Sequence, residues 1–319
     1  MKHAELDIMT GKLIKEIRLE QGLTRKMLCE MSIDMCTADH LGKIENGKTG
    51  LNTRTLYPIL NNLNTRIDEF YIRLYGQGIQ ECINDFNIAW DLAYEKGYQV
   101  LSTFLDELKS KDYDMSIPII KQIVLLCDGI IHKNVLKEHH KAYEIMMKAL
   151  LLTSLPNIFH NKSIIPKHIA TNSFSINEYR ILISMANLKS KMGSIKKATN
   201  ILSAICSSLE RKTTKHDVRK KLTPIVYFNL SNRLISMKSY AKAFDIADKG
   251  ISFCLNKNEF KELGFFHVNK ARALYYMDRI EEATRCFENS LEIFKMQEKF
   301  ACIERVENAI MSEYPLCIL

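Results

Sequence analysis

A short pattern occurs three times in the C-terminal half of the sequence, and this repetition constrains the fold more than any other feature. In each copy a bulky residue stands three positions before an alanine, namely Ile195 to Ala198, Tyr240 to Ala243 and Ile280 to Ala283, and the residues between them are polar except Ala241. The copies start at positions 195, 240 and 280, that is 45 and 40 residues apart, and amphipathic stretches flank each one. A small alanine lets two helices approach closely, so the pattern predicts successive helix pairs.

The first seventy residues show a different organisation, with short amphipathic segments separated by tight turns. Thr24 is of the type that caps the start of a helix, and it opens the second segment. The third segment, Thr37–Glu45, places Leu41 and Ile44 one turn apart on one face. Two short helices joined by a turn form a helix-turn-helix, whose second helix lies in the DNA major groove.

The residues of this segment resemble the Xre/Cro-type helix-turn-helix family. The resemblance rests on the pattern Ile14-Lys-x-x-Arg18, Gly22-Leu-Thr24, Leu28 and Leu41-x-x-Ile44-Glu45-x-Gly47. The span from Leu28 to Leu41 is somewhat longer than this family's usual pattern, so a bulged turn is expected. A longer turn of this kind is similar to that of the peptide-responsive Rgg and ComR-like regulators.

An alternative function is suggested by Gly42–Thr49, which matches the phosphate-loop pattern G-x-x-x-x-G-K-[ST]. A true phosphate loop follows a buried strand, whereas the stretch Cys36–His40 before this one does not have the pattern of a strand. Glu45 would repel the phosphates, and Ile44 would be an apolar side chain in a loop. The sequence therefore favours a helix end that is stopped by Gly47, and a nucleotide hydrolase is the weaker hypothesis.

Candidate DNA-contacting residues lie on and around this predicted recognition helix. Thr37 and His40 can reach base edges, and Lys43 can reach a base or a phosphate. Asp39 is less expected beside DNA, where it would accept from a cytosine amino group or orient a neighbour. Residues suited to phosphate contacts are Arg25, Lys26, Asn46 and Lys48. For each residue taken singly, an ordinary solvated surface position is the alternative.

Charge bears on the partners that the chain can bind. The net charge is +8, yet residues 1–72 hold ten Lys or Arg and ten Asp or Glu. A neutral head predicts modest affinity for DNA as a monomer, so a homodimer on an inverted-repeat operator in double-stranded DNA is expected. The basic excess lies in Lys189–Lys221, which is interpreted either as a solvated helix face or as a site for an anionic partner.

The predicted fold class is all-α, with an N-terminal helix-turn-helix domain followed by a superhelical array of tetratricopeptide-like helix pairs. Only 12 Gly and 6 Pro interrupt the 319 residues. The predicted domains are a DNA-binding domain at 1–72, a linker at 73–80 around Tyr75-Gly-Gln-Gly-Ile79, and a repeat domain at 81–319. Arrays of this kind offer an extended concave surface, which is a usual device for binding peptides. A scaffold that serves only dimerisation is the alternative.

Polar residues recur at equivalent points of the three repeats. Eleven and eight positions before each bulky residue stand the pairs Ser184/Asn187, Asn229/Asn232 and Asn269/Arg272. Residues three apart share a helix face, and an amide can pair with the backbone of an extended peptide irrespective of its sequence. Three cations of these helices can meet a peptide carboxylate or an acidic side chain, namely Arg233, Lys270 and Arg272.

The combination of the two domains resembles the RRNPP family, the Rgg/PlcR-type quorum-sensing regulators of Gram-positive bacteria. The resemblance implies a DNA-binding transcription regulator that is controlled by an intracellular signalling peptide. It also implies that asparagines on the first helix of each repeat clamp the peptide, a placement that Asn229 and Asn269 match and Ser184 does not. The alternative is a DNA-binding regulator whose repeats bind a protein anti-repressor of a phage or plasmid.

Other classes of protein find little support in the sequence. No cofactor motif, nucleophile elbow or pair of catalytic carboxylates is present, so neither a cofactor nor an enzymatic activity is predicted. His132, His139 and His140 lack partners at metal-ligand spacing. The nine cysteines never form C-x-x-C, and neither a secretory signal nor an apolar stretch of about 18 residues occurs. A cytoplasmic protein with reduced thiols is therefore expected.

Overall fold

The computed structural model describes residues 3–31, 36–111, 113–154, 158–161 and 163–317. Most of this described chain is helical, which confirms the predicted fold class. The helices are α1 His3–Glu20, α2 Arg25–Glu30, α3 Ala38–Glu45, α4 Thr53–Asn62, α5 Ile67–Tyr75, α6 Gln77–Lys96, α7 Val100–Ser110, α8 Pro118–Asn134, α9 His139–Leu151, α10 Pro166–Thr171, α11 Ile176–Lys191, α12 Ile195–Leu209, α13 His216–Ser236, α14 Tyr240–Lys257, α15 Leu263–Tyr275, α16 Ile280–Met296 and α17 Phe300–Glu313.

The remaining regular structure is small. Strands β1 Phe159–His160 and β2 Ser163–Ile164 pair antiparallel, and a 3-10 turn spans Phe260–Glu262. The chain divides into two compact units, one of residues 1–168 with 172–188 and one of residues 169–171 with 189–319. No helix among the described residues combines the length and the apolar character that a bilayer span needs.

The head, α1 to α5, has its own hydrophobic core. Leu28 of α2, Leu41 and Ile44 of α3 and Phe70 of α5 are all fully buried in it. Side-chain caps set the starts of the short helices, because Thr24 accepts from Met27 N and Thr37 accepts from His40 N. The predicted helix-turn-helix is thereby confirmed, while the bulge expected between α2 and α3 lies largely outside the described residues.

Two glycines fix how α3 meets α1. A Cβ on Gly11 would lie 2.1 Å from the carbonyl oxygen of Ile44, so the two helices pack backbone against backbone at this point. Gly47 follows α3 with φ +65°, a conformation that favours glycine, and ends the helix as predicted. The recognition helix is therefore held at a fixed depth against α1.

The linker predicted at residues 73–80 is almost entirely helical. Residues up to Tyr75 belong to α5, residues from Gln77 belong to α6, and only Gly76 separates the two helices. Gly76 has φ +79° and ψ −153°, which an L-residue with a side chain rarely adopts. Within the predicted hinge or linker, the helical path is thus interrupted at a single glycine, and the two compact units divide near residue 188.

The predicted repeats are present as helix pairs. Their second helices, α12, α14 and α16, begin at Ile195, Tyr240 and Ile280, the three bulky residues of the sequence pattern. The alanines three positions later are all fully buried: Ala198, Ala243 and Ala283. Close helix packing at the small residue therefore explains why the pattern recurs.

Candidate nucleic-acid interface and ligand-facing helices

The face of α3 opposite its buried residues is open to solvent. Asp39 and Lys43 on α3 are exposed, and so is Thr37 at its N-cap, while His40 is half-buried. Leu41 and Ile44 point the other way into the core, which fixes the rotation of the helix. The structure thus brings the predicted base-reading residues together on one helix face, with positions 37, 40 and 43 one turn apart.

The opposite end of α3 carries a buried ion-pair network. The side chain of Glu45 is wholly buried; Arg18 donates to both of its oxygens, at 2.6 and 3.0 Å. Arg25 Nε donates to Glu45 Oε2 at 2.7 Å, so this predicted phosphate contact is partly used inside the head. Burial opposes ionisation of Glu45, but the hydrogen bonds from the two arginines outweigh it and lower its pKa.

The remaining predicted phosphate contacts differ in their surroundings. The Lys26 side chain is 81% exposed and lies 3.9 Å from Glu30 Oε1. Asn46 and Lys48 are also exposed, although the Asn46 amide donates to the Gly42 carbonyl at 2.7 Å. Lys26 and Lys48 are therefore the cations of this set that remain most available to an anionic backbone.

The geometry of Gly42–Thr49 argues against a phosphate loop. A phosphate loop cradles its ligand with free backbone N–H groups. Here Asn46 N donates to Gly42 O, Gly47 N to Ile44 O and Lys48 N to Lys43 O, which closes the end of α3. With these amides satisfied and Glu45 buried between arginines, the segment is a helix C-terminus. Among the described residues, no three His, Cys, Asp or Glu side chains lie close enough together to hold a metal.

The first helices of the second and third repeats are linked by a polar network. Arg272 of α15 donates to Asn232 Oδ1 of α13 at 2.9 Å and to Asn269 Oδ1 at 3.4 Å, and its Nε donates to Tyr314 Oη at 3.0 Å. Asn269 is only 1% exposed and donates to Ser231 Oγ at 2.8 Å. The hydrogen bonds of Asn269, a predicted peptide contact, thus join α15 to α13.

The other predicted peptide contacts fall into two groups. Asn229 is half-buried and donates to its own helix at Ile225 O, while Ser184 is buried. Asn187 is half-buried, and its Oδ1 atom lies buried without a hydrogen-bond donor. An amide that keeps an unpaired acceptor is suited to receive a donor from a ligand.

The two basic residues beside these asparagines point to different neighbours. Lys270 lies 2.5 Å from Asp248 of α14 and over the ring of Phe244, so its charge is balanced within the protein. Arg233 donates to Ser190 Oγ at 2.8 Å, and its buried Nε has no acceptor. Burial lowers the pKa of Arg233. Among the predicted cations, Arg233 is therefore the one suited to an incoming carboxylate.

The fold and these two sites define the class: a helix-turn-helix protein with a helical-repeat domain. Comparison with family models agrees, since residues 14–70 match a helix-turn-helix family and residues 157–306 match the RNPP family C-terminal domain. The similarity to the RNPP family thus covers residues 157–306, just under half of the chain. No relative was found among the curated proteins.

Solved structures share the fold over nearly the whole chain. PlcR of Bacillus thuringiensis, in complex with the peptide PapR7 and DNA, is 20% identical, with a TM-score of 0.55 over 94% of this chain and 99% of that one. Apo ComR of Streptococcus thermophilus is 15% identical, with a TM-score of 0.53 over 96% and 99% of the two chains. Apo ComR of Streptococcus vestibularis is 13% identical, with a TM-score of 0.51 over 96% and 98%.

Sequence reasoning missed two features that a closer reading contains. Arg18 and Glu45 both stand in the helix-turn-helix pattern, but their pairing across the head was not predicted. Ser175-Ile-Asn-Glu178 matches the capping-box pattern [ST]-x-x-E, and in the structure Ser175 and Glu178 do cap the start of α11. The capping box is recognisable from residue type and spacing alone, whereas Arg18 and Glu45 are 27 residues apart in the sequence.

Proposed function

We propose that the chain is a DNA-binding transcription regulator controlled by a signalling peptide, which binds against the first helices of the repeats. The observation that carries the proposal is the exposed face of α3, with Thr37, His40 and Lys43 in register and the buried Glu45 network holding the helix in place. This is the arrangement that reads base edges in helix-turn-helix domains. PlcR, whose fold the chain shares, was solved with a peptide and DNA bound.

The ligand side of the proposal rests on α11, α13 and α15. Asn187 keeps a buried acceptor without a donor, and Arg233 keeps a half-buried charge without a carboxylate among the described residues. A donor N–H of a ligand would suit Asn187 in the first compact unit, and a carboxylate would suit Arg233 in the second, each taken by itself. We place the protein in the cytoplasm as a homodimer, where an imported peptide and two operator half-sites are both available. A protein anti-repressor is the second candidate ligand.

Selection of a random duplex DNA library by the full-length protein tests the DNA-binding function. The informative variant exchanges Thr37, His40 and Lys43 for Ala together. Its matched control exchanges Lys96 and Lys109, exposed lysines of α6 and α7, for Ala. We expect an inverted repeat to be enriched by the parent and the control but not by the triple variant. Equal enrichment by the triple variant would refute the assignment of α3.

A second experiment tests the ligand side. A random-peptide library is panned against the full-length protein, and against the variant carrying Asn187→Ala with Arg233→Ala. The control variant carries Lys212→Ala, an exposed lysine of the basic segment. We expect short peptides to be retained by the parent and the control only. Retention of the same peptides by the double variant would contradict the assignment of these two residues.

A further inference from the structure

The start of α11 is fixed to two other helices of the first compact unit. Tyr57 of α4 is buried, and its hydroxyl donates to the carbonyl oxygen of Ser173 at 3.0 Å, just ahead of the helix. Arg180 of α11 donates to Asn87 of α6 at 2.8 Å, and its guanidinium lies over the Trp90 ring at 4.6 Å. The first turns of α11 therefore cannot move without disturbing α4 of the head and α6 after it.

The capping box of α11 lies at this junction. Ser175 N donates to Glu178 Oε2 at 2.8 Å, and Glu178 N donates to Ser175 Oγ at 3.3 Å. The hydroxyl of Thr153, after α9, donates to Glu178 Oε1 at 2.9 Å. Glu178 is 1% exposed, and no cation of the described residues forms an ion pair with it. Its carboxyl group is held by neutral donors alone.

The titratable groups around Glu178 give it no compensating positive charge. Tyr57 reaches the junction from α4, and Asp68 from α5, where Arg66 pairs with Asp68 at 3.1 Å. On α8, Gln122 contacts the same Thr153 hydroxyl. Burial, reinforced by the negative charge of Asp68, raises the pKa of Glu178 to about 7 despite the hydrogen bonds from Ser175 and Thr153.

The other half of α11 carries the ligand-facing residues. Asn187 stands nine residues after Glu178 on the same continuous helix, a distance of about 14 Å along the axis. Its Oδ1 atom is buried and has no donor. A donor supplied by a ligand would act on a helix whose first turns are hydrogen-bonded to the head.

We propose that Tyr57 and Glu178 are positioning residues that couple α11 to α4, so that a displacement of the ligand-facing helix changes the placement of the DNA-reading head. The coupling runs from Asn187 along α11 to its capping box, and through the Ser173 carbonyl to the Tyr57 hydroxyl. The regulatory role of this coupling rests on the proposed function. The joint itself, the hydrogen-bonded connection between α11 and α4 through Ser173 and Tyr57, is independent of any ligand.

Hydrogen–deuterium exchange of the full-length chain tests the joint. The variants are Tyr57→Phe and Glu178→Gln, with Tyr113→Phe as a hydroxyl deletion away from α4 and α11. Glutamine preserves a capping box, so Glu178→Gln removes the charge and keeps the fold. We expect Tyr57→Phe to speed exchange in α4 about fivefold, and Tyr113→Phe to leave it unchanged.

The pH dependence of hydrogen–deuterium exchange in α4 distinguishes a positioning role of Glu178 from a merely structural contact. Between pH 6 and 8, exchange in α4 of the parent should rise about tenfold relative to Glu178→Gln, because ionised Glu178 disfavours the closed joint. An identical pH profile in the parent and Glu178→Gln would overturn the proposal, as would unchanged exchange in Tyr57→Phe.

Affinity for the DNA duplex selected from the library measures whether the joint affects the DNA-reading head. We expect the parent's DNA affinity to show a step near pH 7 of about fivefold, absent from Glu178→Gln and from Tyr57→Phe but present in Tyr113→Phe. The exchange data can show the expected coupling while the pH dependence of DNA affinity is identical in all variants. That result would refute transmission to the head and leave the assignment of DNA binding intact. If neither the parent nor any variant selects or binds DNA, the proposed function fails, and so does transmission from the joint to the DNA-reading head. The exchange data still decide whether the joint exists.

Discussion

Arg18 of α1 donates to both carboxylate oxygens of Glu45, at 2.6 and 3.0 Å, so the last residue of the recognition helix is clamped to the first helix of the head. The same arginine donates to the carbonyl of Leu23, in the turn before α2, at 2.6 Å. Arg25 of α2 adds a third bond to Glu45. One buried carboxylate thus joins all three helices on which DNA reading depends.

Removing the charge at Glu45 is expected to weaken the head severely. Glu45→Gln leaves Arg18 buried without its counter-charge, which costs about 3 to 5 kcal/mol in the free energy of unfolding. Glu30→Gln, at an exposed acid of α2, should change it by less than about 0.5 kcal/mol. Chemical denaturation followed by circular dichroism measures both values. Similar stabilities for the two variants would show that the clamp contributes little.

The same pair predicts a loss of stability in acid. The pKa of Glu45 is lower in the folded head than its ordinary value of 4.5. Its contribution is therefore complete above 4.5 and disappears as the pH falls through the lowered folded value. The difference in unfolding free energy between the parent and Glu45→Gln should narrow in that range. A difference that stays constant down to pH 3 would contradict the pairing.

A single methyl group on Gly11 should separate the recognition helix from α1. In Gly11→Ala the new Cβ would lie 2.1 Å from Ile44 O, so the backbone must shift, at a cost of about 1 to 3 kcal/mol or more. Gly78→Ala in α6 is the matched control, since nothing lies within 4 Å of its Cβ. That change should stabilise by about 0.5 to 1 kcal/mol. Thermal melts of both variants measure the contrast.

The sequence predicted the helices of the repeats accurately because their signal is local. Ile195, Tyr240 and Ile280 begin the second helices, and the alanines that follow are buried as the spacing required. Periodicity also placed Leu41 and Ile44 in the core of the head. Spacing along one helix determines which residues share a face, and this information was sufficient for the fold.

The candidate sites were harder to predict, because their partners are distant in the sequence. Asn269 is a predicted peptide contact, and its amide donates to Ser231, which stands 38 residues away. Lys270, another predicted peptide contact, forms an ion pair with Asp248 of α14. Periodicity gives the direction of a side chain on its own helix, whereas burial depends on the helices that pack against it. The capping box at Ser175 was a local signal and was predictable.

The raised pKa of Glu178 predicts that the first compact unit becomes less stable as the pH rises. Burial raises its folded pKa to about 7, above the ordinary value of 4.5, so the folded state binds more protons than the unfolded state between these values. The contribution of protonated Glu178 to the free energy of unfolding is complete below pH 4.5 and is lost as the pH rises toward 7. Between pH 5 and 8 the parent should lose about 2 to 3 kcal/mol more than Glu178→Gln. Denaturant titrations at several pH values measure this difference, and parallel curves would exclude a raised pKa.

The last prediction concerns the hydrogen bond between Arg272 and Tyr314 in the second compact unit. Arg272 Nε donates to the Tyr314 hydroxyl at 3.0 Å, and Tyr314 is buried against Tyr275 and Phe287. A double-mutant cycle of Arg272→Met and Tyr314→Phe should give a coupling energy of about 1 to 2 kcal/mol, because a hydrogen bond to a charged group is lost in either single variant. Arg272→Met with Tyr227→Phe, whose hydroxyl contacts Glu210 instead, should be additive. Coupling in the first cycle alone would show that Arg272 holds the C-terminal segment to α15, and additivity in both would leave Arg272 as a residue available to a ligand.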